Sequence, residues 1–383
     1  MPQFALDPDQ QAVFDMARAF AAEHIAPHAV RWDEEKHFPV DMLRRAASLG
    51  MGGILVREAH GGSAMTRLEC ALIIEALANG CPTMAAYVSI HNMVAGMIDR
   101  HGDDRQRDYF LPRLCRKDWL ASYCLTEPGS GSDAAALRMR ARRDGDAYVL
   151  DGVKQFISGA GAADVYVVMA RTGEDGAKGI SAFLVEAGTP GLSFGPDERK
   201  MGWRAQPTRQ VVLENASIPA ANLLSAEGKG FRIAMAGLDG GRLNIAAASL
   251  GGAQSVLDKA CRYVGERSAF GRRLLDFQAL QFKLAEAAMQ LEAARTFLWR
   301  AAAALEAAQP DATRLCAMAK CLVTDTGFAV ANTALQLHGG YGYLAEYGIE
   351  KIVRDLRVHQ ILEGTNEIMH VIVARGLLEA HRR

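Results

Sequence analysis

The chain has 383 residues, of which half are hydrophobic and 23% charged, and its formal net charge is −1. That is the composition of an ordinary globular protein long enough for two or three packed domains. So balanced a charge gives no global pull toward nucleic acid or an anionic membrane, and no window is long and apolar enough to cross a bilayer.

The first residues, MPQFALDPDQQ, have neither the basic start and apolar stretch of a secretory signal nor the Arg-rich, acid-poor character of a transit peptide. The expectation is a cytoplasmic protein, or a mature mitochondrial-matrix form without its targeting segment. Asp7 followed by Pro8 forms a helix cap and first-turn pair. Val13, Met16, Ala17 and Phe20 then recur on one helical face. Further helices are predicted at 41–49 and 67–79, with Gly61, Gly62 and Ser63 breaking the pattern between them. This N-terminal helical domain is assigned residues 1–118.

Near Trp119 strand-like runs begin to alternate with turn signals. A hairpin turn is predicted at 142–146, between strands at 137–140 and 148–150, with Asp144-Gly145 supplying positive φ angles. Short apolar strands follow at 165–170, 180–185 and 210–213. Residues 119–226 therefore read as a middle antiparallel β-domain. From Glu227 the chain is helical again. Asp276 is the expected cap of a helix whose Leu280, Leu284, Ala287, Leu291, Ala294, Leu298 and Leu305 form one bundle stripe. Gln309-Pro310-Asp311 should end that helix and cap the next, His338-Gly339-Gly340-Tyr341-Gly342 should break the third, and a last helix should start near Asn366. The fold class is thus mainly α with a β-domain, and residues 227–383 form a C-terminal four-helix bundle.

The seven cysteines, Cys70, Cys81, Cys115, Cys124, Cys261, Cys316 and Cys321, form no C-x-x-C pair and no Cys/His cluster. Free thiols in a reducing compartment, and no metal site, are expected.

Four segments could carry chemistry. Tyr123-Cys124-Leu125-Thr126-Glu127-Pro128-Gly129-Ser130-Gly131-Ser132-Asp133 is a strand running into a Gly/Ser loop, whose N–H and hydroxyl donors suit a phosphate or a heteroaromatic ring edge. Alone, it reads rather as an ordinary surface loop. It is neither a Rossmann fingerprint, since Ala134 stands at the third glycine position and no βαβ unit follows, nor a P-loop. Phe156-Ile157-Ser158 pairs an aromatic with a hydroxyl that could stack on and bond a ring, or be a half-buried strand end. Gln336-Leu337-His338-Gly339-Gly340 permits close backbone approach to a ligand, or simply ends a helix. In Ile361-Leu362-Glu363-Gly364-Thr365-Asn366-Glu367, Thr365 is a fair N-cap and Glu367 a first-turn carboxylate. Glu363 has no local partner. It is either a solvated loop residue or a desolvated base with a raised pKa.

In this order the four segments resemble the acyl-CoA dehydrogenase family across essentially the whole chain. The likeness is carried by Tyr123 to Asp133 and by Glu363-Gly364-Thr365-x-Glu367. It extends through Asp151-Gly152-x-Lys154-x-Phe156, Lys200-Met201-Gly202-Trp203, Asp239-Gly240-Gly241-Arg242 and Tyr341-Gly342-Tyr343-Leu344, which are most similar to members acting on short branched acyl-CoA thioesters, isobutyryl-CoA above all. The resemblance implies FAD as cofactor. By position, Tyr123, Cys124, Leu125, Thr126, Gly131, Ser132, Phe156, Ile157 and Ser158 line the flavin. Arg267, Gln278, Gln336, Leu337, His338, Gly339 and Gly340 reach the FAD of a neighbouring subunit, and Thr365 and Glu367 add flavin contacts. Ser132, Asp239, Gly240, Gly241, Arg242 and Arg375 contact or support the acyl-CoA.

The resemblance also implies a homodimer or homotetramer and electron-transfer flavoprotein as electron acceptor. Glu363 would remove the α-proton while the β-hydrogen leaves as hydride to flavin N5, giving the 2-enoyl-CoA. Some relatives carry the base directly before the arginine matching Arg242; that position is Gly241 here, so Glu363 is the base by a presence and an absence. The rival readings are a 2-methylbutyryl- or butyryl-CoA dehydrogenase, an acyl-CoA oxidase on the same fold, and a flavin-bearing nucleic-acid-binding relative, which should show a basic C-terminal surface.

Overall fold

The computed structural model describes residues 5–116 and 118–380. Its N-terminal part is α1 (Pro8–His24), α2 (Ala29–Glu35), α3 (Val40–Ala46), α4 (Arg67–Gly80), α5 (Pro82–His101) and α6 (Asp104–Cys115). Capping boxes start three of these helices: Asp7 with Gln10, Thr66 with Glu69, and Asp103 with Gln106. The predicted helix at 41–49 is α-helical to Ala46 and runs on as a π-turn over Ala47–Met51, and Leu49 and Gly50 leave helical geometry. The cause is tertiary: Ser63 packs on the Gly50 backbone and its Oγ donates to the Gly50 carbonyl at 3.0 Å. α5 is buried along nearly its whole length and touches both the first strand and the long helix at Gly230–Glu266.

The sheet comprises β1 (Ala121–Cys124), β2 (Arg140–Asp144), β3 (Ala147–Ser158), β4 (Val165–Arg171), β5 (Ile180–Glu186), β6 (Leu192–Phe194), β7 (Thr208–Pro219) and β8 (Leu223–Leu224). Its order is β6-β7-β3-β2-β4-β5-β8, with β1 on β4. The hairpin register pairs Asp144 with Ala147, so the turn is shorter and its strands longer than expected. Gly145 alone takes a positive φ there, at 59°. The sheet is also not purely antiparallel, because β1 and β2 each run parallel to β4.

The C-terminal part is α7 (Gly230–Glu266), a small ribbon of β9 (Ser268–Ala269) and β10 (Arg272–Arg273), α8 (Gln278–Glu306), α9 (Ala312–His338), α10 (Ile349–His359) and α11 (Asn366–Ala380). α7 is the axis, packing on α9, α4, α5 and α8. Ala287, Leu291, Ala294 and Leu298 of the predicted stripe are buried; Leu280, Leu284 and Leu305 lie partly buried against them. Asp276 is not the cap of α8. It closes a short 3₁₀ turn on Arg273, and Phe277 takes the cap position. Asp311 stands at the N-cap of α9, but its carboxylate pairs with Arg314 instead of the helix end.

A buried network fastens the sheet to α10. Trp203 N–H donates to Asp355 Oδ1 at 2.7 Å, and Asp355 is also bonded by Lys351 at 2.6 Å and Thr83 at 2.9 Å. The Trp203 indole N–H donates to His359 Nε2 at 3.2 Å, so that imidazole is neutral there; burial pushes its pKa down to about 3. Every partner of this buried pair is satisfied, which is the condition for a buried charge to be tolerated. Among the described residues all seven cysteines are free, no metal-binding cluster occurs, and no helix is long and apolar enough to cross a membrane.

Candidate active site

The turn between α10 and α11 carries Glu363 in left-handed backbone, φ 58°, followed by Gly364 at φ 88°. A non-glycine residue there costs about 1 kcal/mol, so the fold must hold it. It does so from two helices. Arg242 of α7, itself ion-paired to Asp239 at 2.7 Å, donates through Nε to the Glu363 carbonyl at 3.3 Å. Thr313 bonds the other Asp239 oxygen at 2.7 Å. From α9, the buried Lys320 Nζ reaches the Gly364 carbonyl and Asn366 Oδ1, both at 2.8 Å. Thr365 caps α11, its Oγ1 accepting from Ile368 N–H at 3.4 Å.

The Glu363 side chain is thereby laid against α7 at Gly241. A β-carbon built on Gly241 would lie 2.6 Å from Glu363 Oε2 and 2.9 Å from Oε1. The two positions that the resemblance offers for a base therefore meet at one point in space, and only glycine at 241 leaves room for the Glu363 carboxylate. Glu363 Oε2 is buried with no hydrogen-bond partner, and so is the hydroxyl of Tyr123 on β1. Burial pushes the Glu363 pKa up to about 7, against the pull of Arg242 and Lys320 toward ionisation. Burial, then the Glu363 charge, also holds the Tyr123 phenol well above its ordinary value. A desolvated carboxylate with a pKa near neutrality and an open coordination side is equipped to take a proton from a weak carbon acid.

Next to this turn lies a cradle at the ends of β1 and β3. Leu125, Thr126, Gly131 and Ser132 lead out of β1, and no atom lies within 4 Å of where a Gly131 side chain would start. Cys124 and Ile157 turn their side chains into the core, so they can offer only main chain to a ligand. Phe156 is 63% exposed in left-handed backbone at φ 58°. Ser158 Oγ accepts from Gln206 Nε2 at 3.3 Å, while Gln206 Oε1 is buried without a partner. An exposed aromatic face beside open glycines and orphaned polar atoms fits a planar heteroaromatic group. The loop is held by Glu127, which accepts from buried Lys154 at 2.8 Å and from Arg138 and Met139 N–H; burial opposes its ionisation, but these donors bring its pKa below the ordinary value.

The other expected cofactor residues do not join this cradle within one chain. Arg267, Gln278, Gln336, Gly339 and Gly340 are exposed at the junctions of α7, α8 and α9. Arg267 lies over the Tyr341 ring at 5.6 Å. Leu337 and His338 are buried, His338 stacking on Tyr263 at 4.5 Å. Glu367 and Arg375 are exposed on α11, with Gly376 against Arg314 at the start of α9. Ser132 is exposed at the cradle mouth. Asp239 and Arg242 grip the Glu363 turn, and Gly240 and Gly241 line a cavity between α5 and α7.

Lys320, Asn366, Lys154 and Glu127 were not singled out from the sequence as site residues. Lys320 did leave a signal: a lysine on the buried face of α9, one turn from Cys316 and from Thr324.

Residues 7–118, 122–216 and 228–378 match the N-terminal, middle and C-terminal domains of acyl-CoA dehydrogenase. The chain is 51% identical over 378 residues to mitochondrial isobutyryl-CoA dehydrogenase of Bos taurus, covering 99% of this chain and 91% of that protein. Identity to the Dictyostelium discoideum isobutyryl-CoA dehydrogenase is 52% over 377 residues, 98% of this chain and 91% of that one. Butyryl-CoA dehydrogenase from Megasphaera elsdenii superposes with a TM-score of 0.95 at 37% identity, over 98% of this chain and 100% of that chain. The chain belongs to the acyl-CoA dehydrogenase family of flavin-dependent oxidoreductases.

Proposed function

We propose that this chain oxidises a short, branched acyl-CoA, isobutyryl-CoA foremost, to the 2-enoyl-CoA, with Glu363 as the base. The observation that carries the reading is the Glu363 carboxylate, half-buried against Gly241 with a raised pKa and its Oε2 enclosed without a partner. In this reading FAD lies on the Tyr123–Thr126, Gly131–Ser132 and Phe156–Ser158 cradle, with Thr365 and Glu367 at its edge. When bound it supplies the acceptor for the β-hydrogen and its electron pair. The chain's own part is to exclude water, to hold the thioester so that its α-carbon faces Glu363, and to receive the proton there. The Glu363 N–H is available to the thioester carbonyl, where charge develops. Ser132, Asp239 to Arg242 and Arg375 would support the CoA. Electrons would pass on to electron-transfer flavoprotein. The free thiols fit a reducing compartment such as the cytoplasm.

Substrate size follows from the walls. The cavity beside Gly241 is lined by Met93, Gly237 and Gly240, and it meets polar groups at Asn92, Asn244 and Arg67. Methylenes driven against the half-buried Arg67 guanidinium would strip it of water, so long chains are disfavoured. An α-methyl beside the abstracted proton needs room near Gly241. In an assay with an artificial electron acceptor, kcat/KM should rank isobutyryl-CoA above butyryl-CoA, with butyryl-CoA still active because one methylene is worth about 1–3 kcal/mol. Octanoyl-CoA should fail. A tenfold advantage for butyryl- or octanoyl-CoA would overturn the branched-chain preference and leave the α,β-dehydrogenation intact.

Arg267, Gln278, Gln336, Gly339 and Gly340 face outward and away from the cradle, which supports a role toward the FAD of a second subunit in a homodimer or homotetramer. Arg267→Ala should therefore lower flavin content per chain after gel filtration, because a pyrophosphate would lose a charge-assisted partner. Full flavin content with unchanged oligomer size would argue against the shared site.

A further inference from the structure

We infer that Lys320 is a positioning residue for the base: its ammonium fastens the Glu363–Gly364 turn to α9 and sets a positive charge near the carboxylate. This rests on the reading of Glu363 as the base.

Lys320 is 0% exposed on the inner face of α9. A lysine there would ordinarily be a liability, since an ammonium loses its hydration on burial. Its contacts explain why it is kept. Nζ donates to the Gly364 carbonyl at 2.8 Å and to Asn366 Oδ1 at 2.8 Å, spanning the residue after Glu363 and the first residue of α11. Asn366 is in turn anchored by donating to Thr324 Oγ1 at 3.1 Å and to Asp325 Oδ1 at 2.7 Å. One cation thus ties the turn, whose residues Glu363 and Gly364 are in left-handed backbone, to the start of α11. The Gly364 carbonyl can point at Lys320 only because the turn has that conformation. Losing the donor would strand a buried carbonyl and release the turn.

The charge matters separately. The charged or titratable groups acting on Glu363 are Arg242 from α7, Lys320 from α9 and Tyr123 from β1. Asp239 sits behind Arg242 and Asp325 behind Asn366. Arg242 is already neutralised by Asp239 at 2.7 Å, whereas among the described residues no carboxylate forms a salt bridge with Lys320. Lys320 is therefore the less compensated of the two cations that favour ionised Glu363. Burial brings its own pKa down to about 8, which leaves it mostly protonated at neutral pH.

The test is a comparison of Lys320→Met, Lys320→Arg and Glu363→Gln holoenzymes by flavin content, KM, and kcat against pH with isobutyryl-CoA. Lys320→Met removes donor and charge together. Its kcat should fall roughly tenfold or more, with KM and FAD per chain within about twofold, because a misplaced base loses the reactive geometry and not the binding. The acid limb of its kcat profile should move to higher pH, since a cation that favoured the carboxylate is gone. Lys320→Arg keeps the charge in another shape, so its acid limb should stay near that of the parent while kcat is reduced. It also serves where the Met variant does not fold. An acid limb unmoved in Lys320→Met, with activity falling only in step with flavin content, would mean that Lys320 merely packs the bundle and would overturn the inference. Substantial turnover in Glu363→Gln would instead remove the base assignment itself, so the two failures are distinguishable.

Discussion

Replacing Glu363 by Gln is expected to lower turnover by on the order of 10³–10⁴ while FAD stays bound. The side chain is nearly isosteric, and its oxygen and nitrogen would occupy the same slot against Gly241. What disappears is the capacity to accept a proton. Anaerobic mixing with isobutyryl-CoA should show no bleaching of the oxidised flavin on the timescale of the parent; bleaching at the parental rate would sink the assignment. The parent's pH profile follows from the same residue. Glu363 works ionised, so activity should be present at alkaline pH and be lost as pH falls through about 7. Stability runs the other way. The folded-state pKa lies above the ordinary value of 4.5, so folding favours the protonated form, and this contribution is lost as pH rises from about 4.5 through about 7. The Gln variant has no such loss. At pH 8 it should therefore be the more stable protein, by about 1–2 kcal/mol after allowance for the residue's partial exposure. The catalytic and stability effects of one substitution thus have opposite signs, as is common where a fold keeps a strained, desolvated group for chemistry.

Gly241→Ala should cost about 10²-fold in kcat without unfolding the protein. The new methyl would sit 2.6–2.9 Å from all three carboxyl atoms of Glu363, closer than real contacts allow. The carboxylate cannot simply retreat along its backbone, because the turn is held by Arg242 at the Glu363 carbonyl and by Lys320 at the Gly364 carbonyl. It must rotate away from the slot, and the α-proton then lies off its line of approach. Alanine raises intrinsic helix propensity within α7 by about 0.8–1 kcal/mol, so thermal stability should hold or rise. Flavin content should not change. Parental kcat in a folded Gly241→Ala protein would show that the carboxylate does not use the space above Gly241.

Asp7-Pro8 and Thr365 were legible as helix starts because capping is a local matter, settled within three or four residues. The stripe of α8 was legible because burial of one face repeats with the helix period. Asp276 and the end of α3 were misplaced because side chains distant in sequence, or a competing short turn, decided the last residues of each element. The parallel pairing of β1 with β4 was not legible, since it depends on where the chain leaves the helical domain.

The site divides in the same way. The sequence alone supplied Glu363, the glycine at 241 and the Gly/Ser loop, and it supplied the family through the order and spacing of those segments. It left open whether Glu363 was solvated or buried, because no residue near it in the chain settles its environment. Only the tertiary structure decided that, by bringing α7 and α9 onto the turn from 121 and 44 residues away, as the Arg242 and Lys320 hydrogen bonds record. Burial raises the carboxyl pKa and the two cations restrain it, and both are properties of packed neighbours and not of the local chain. A base can be named from its sequence; its readiness to take a proton near neutral pH is fixed by residues that meet it only in the fold.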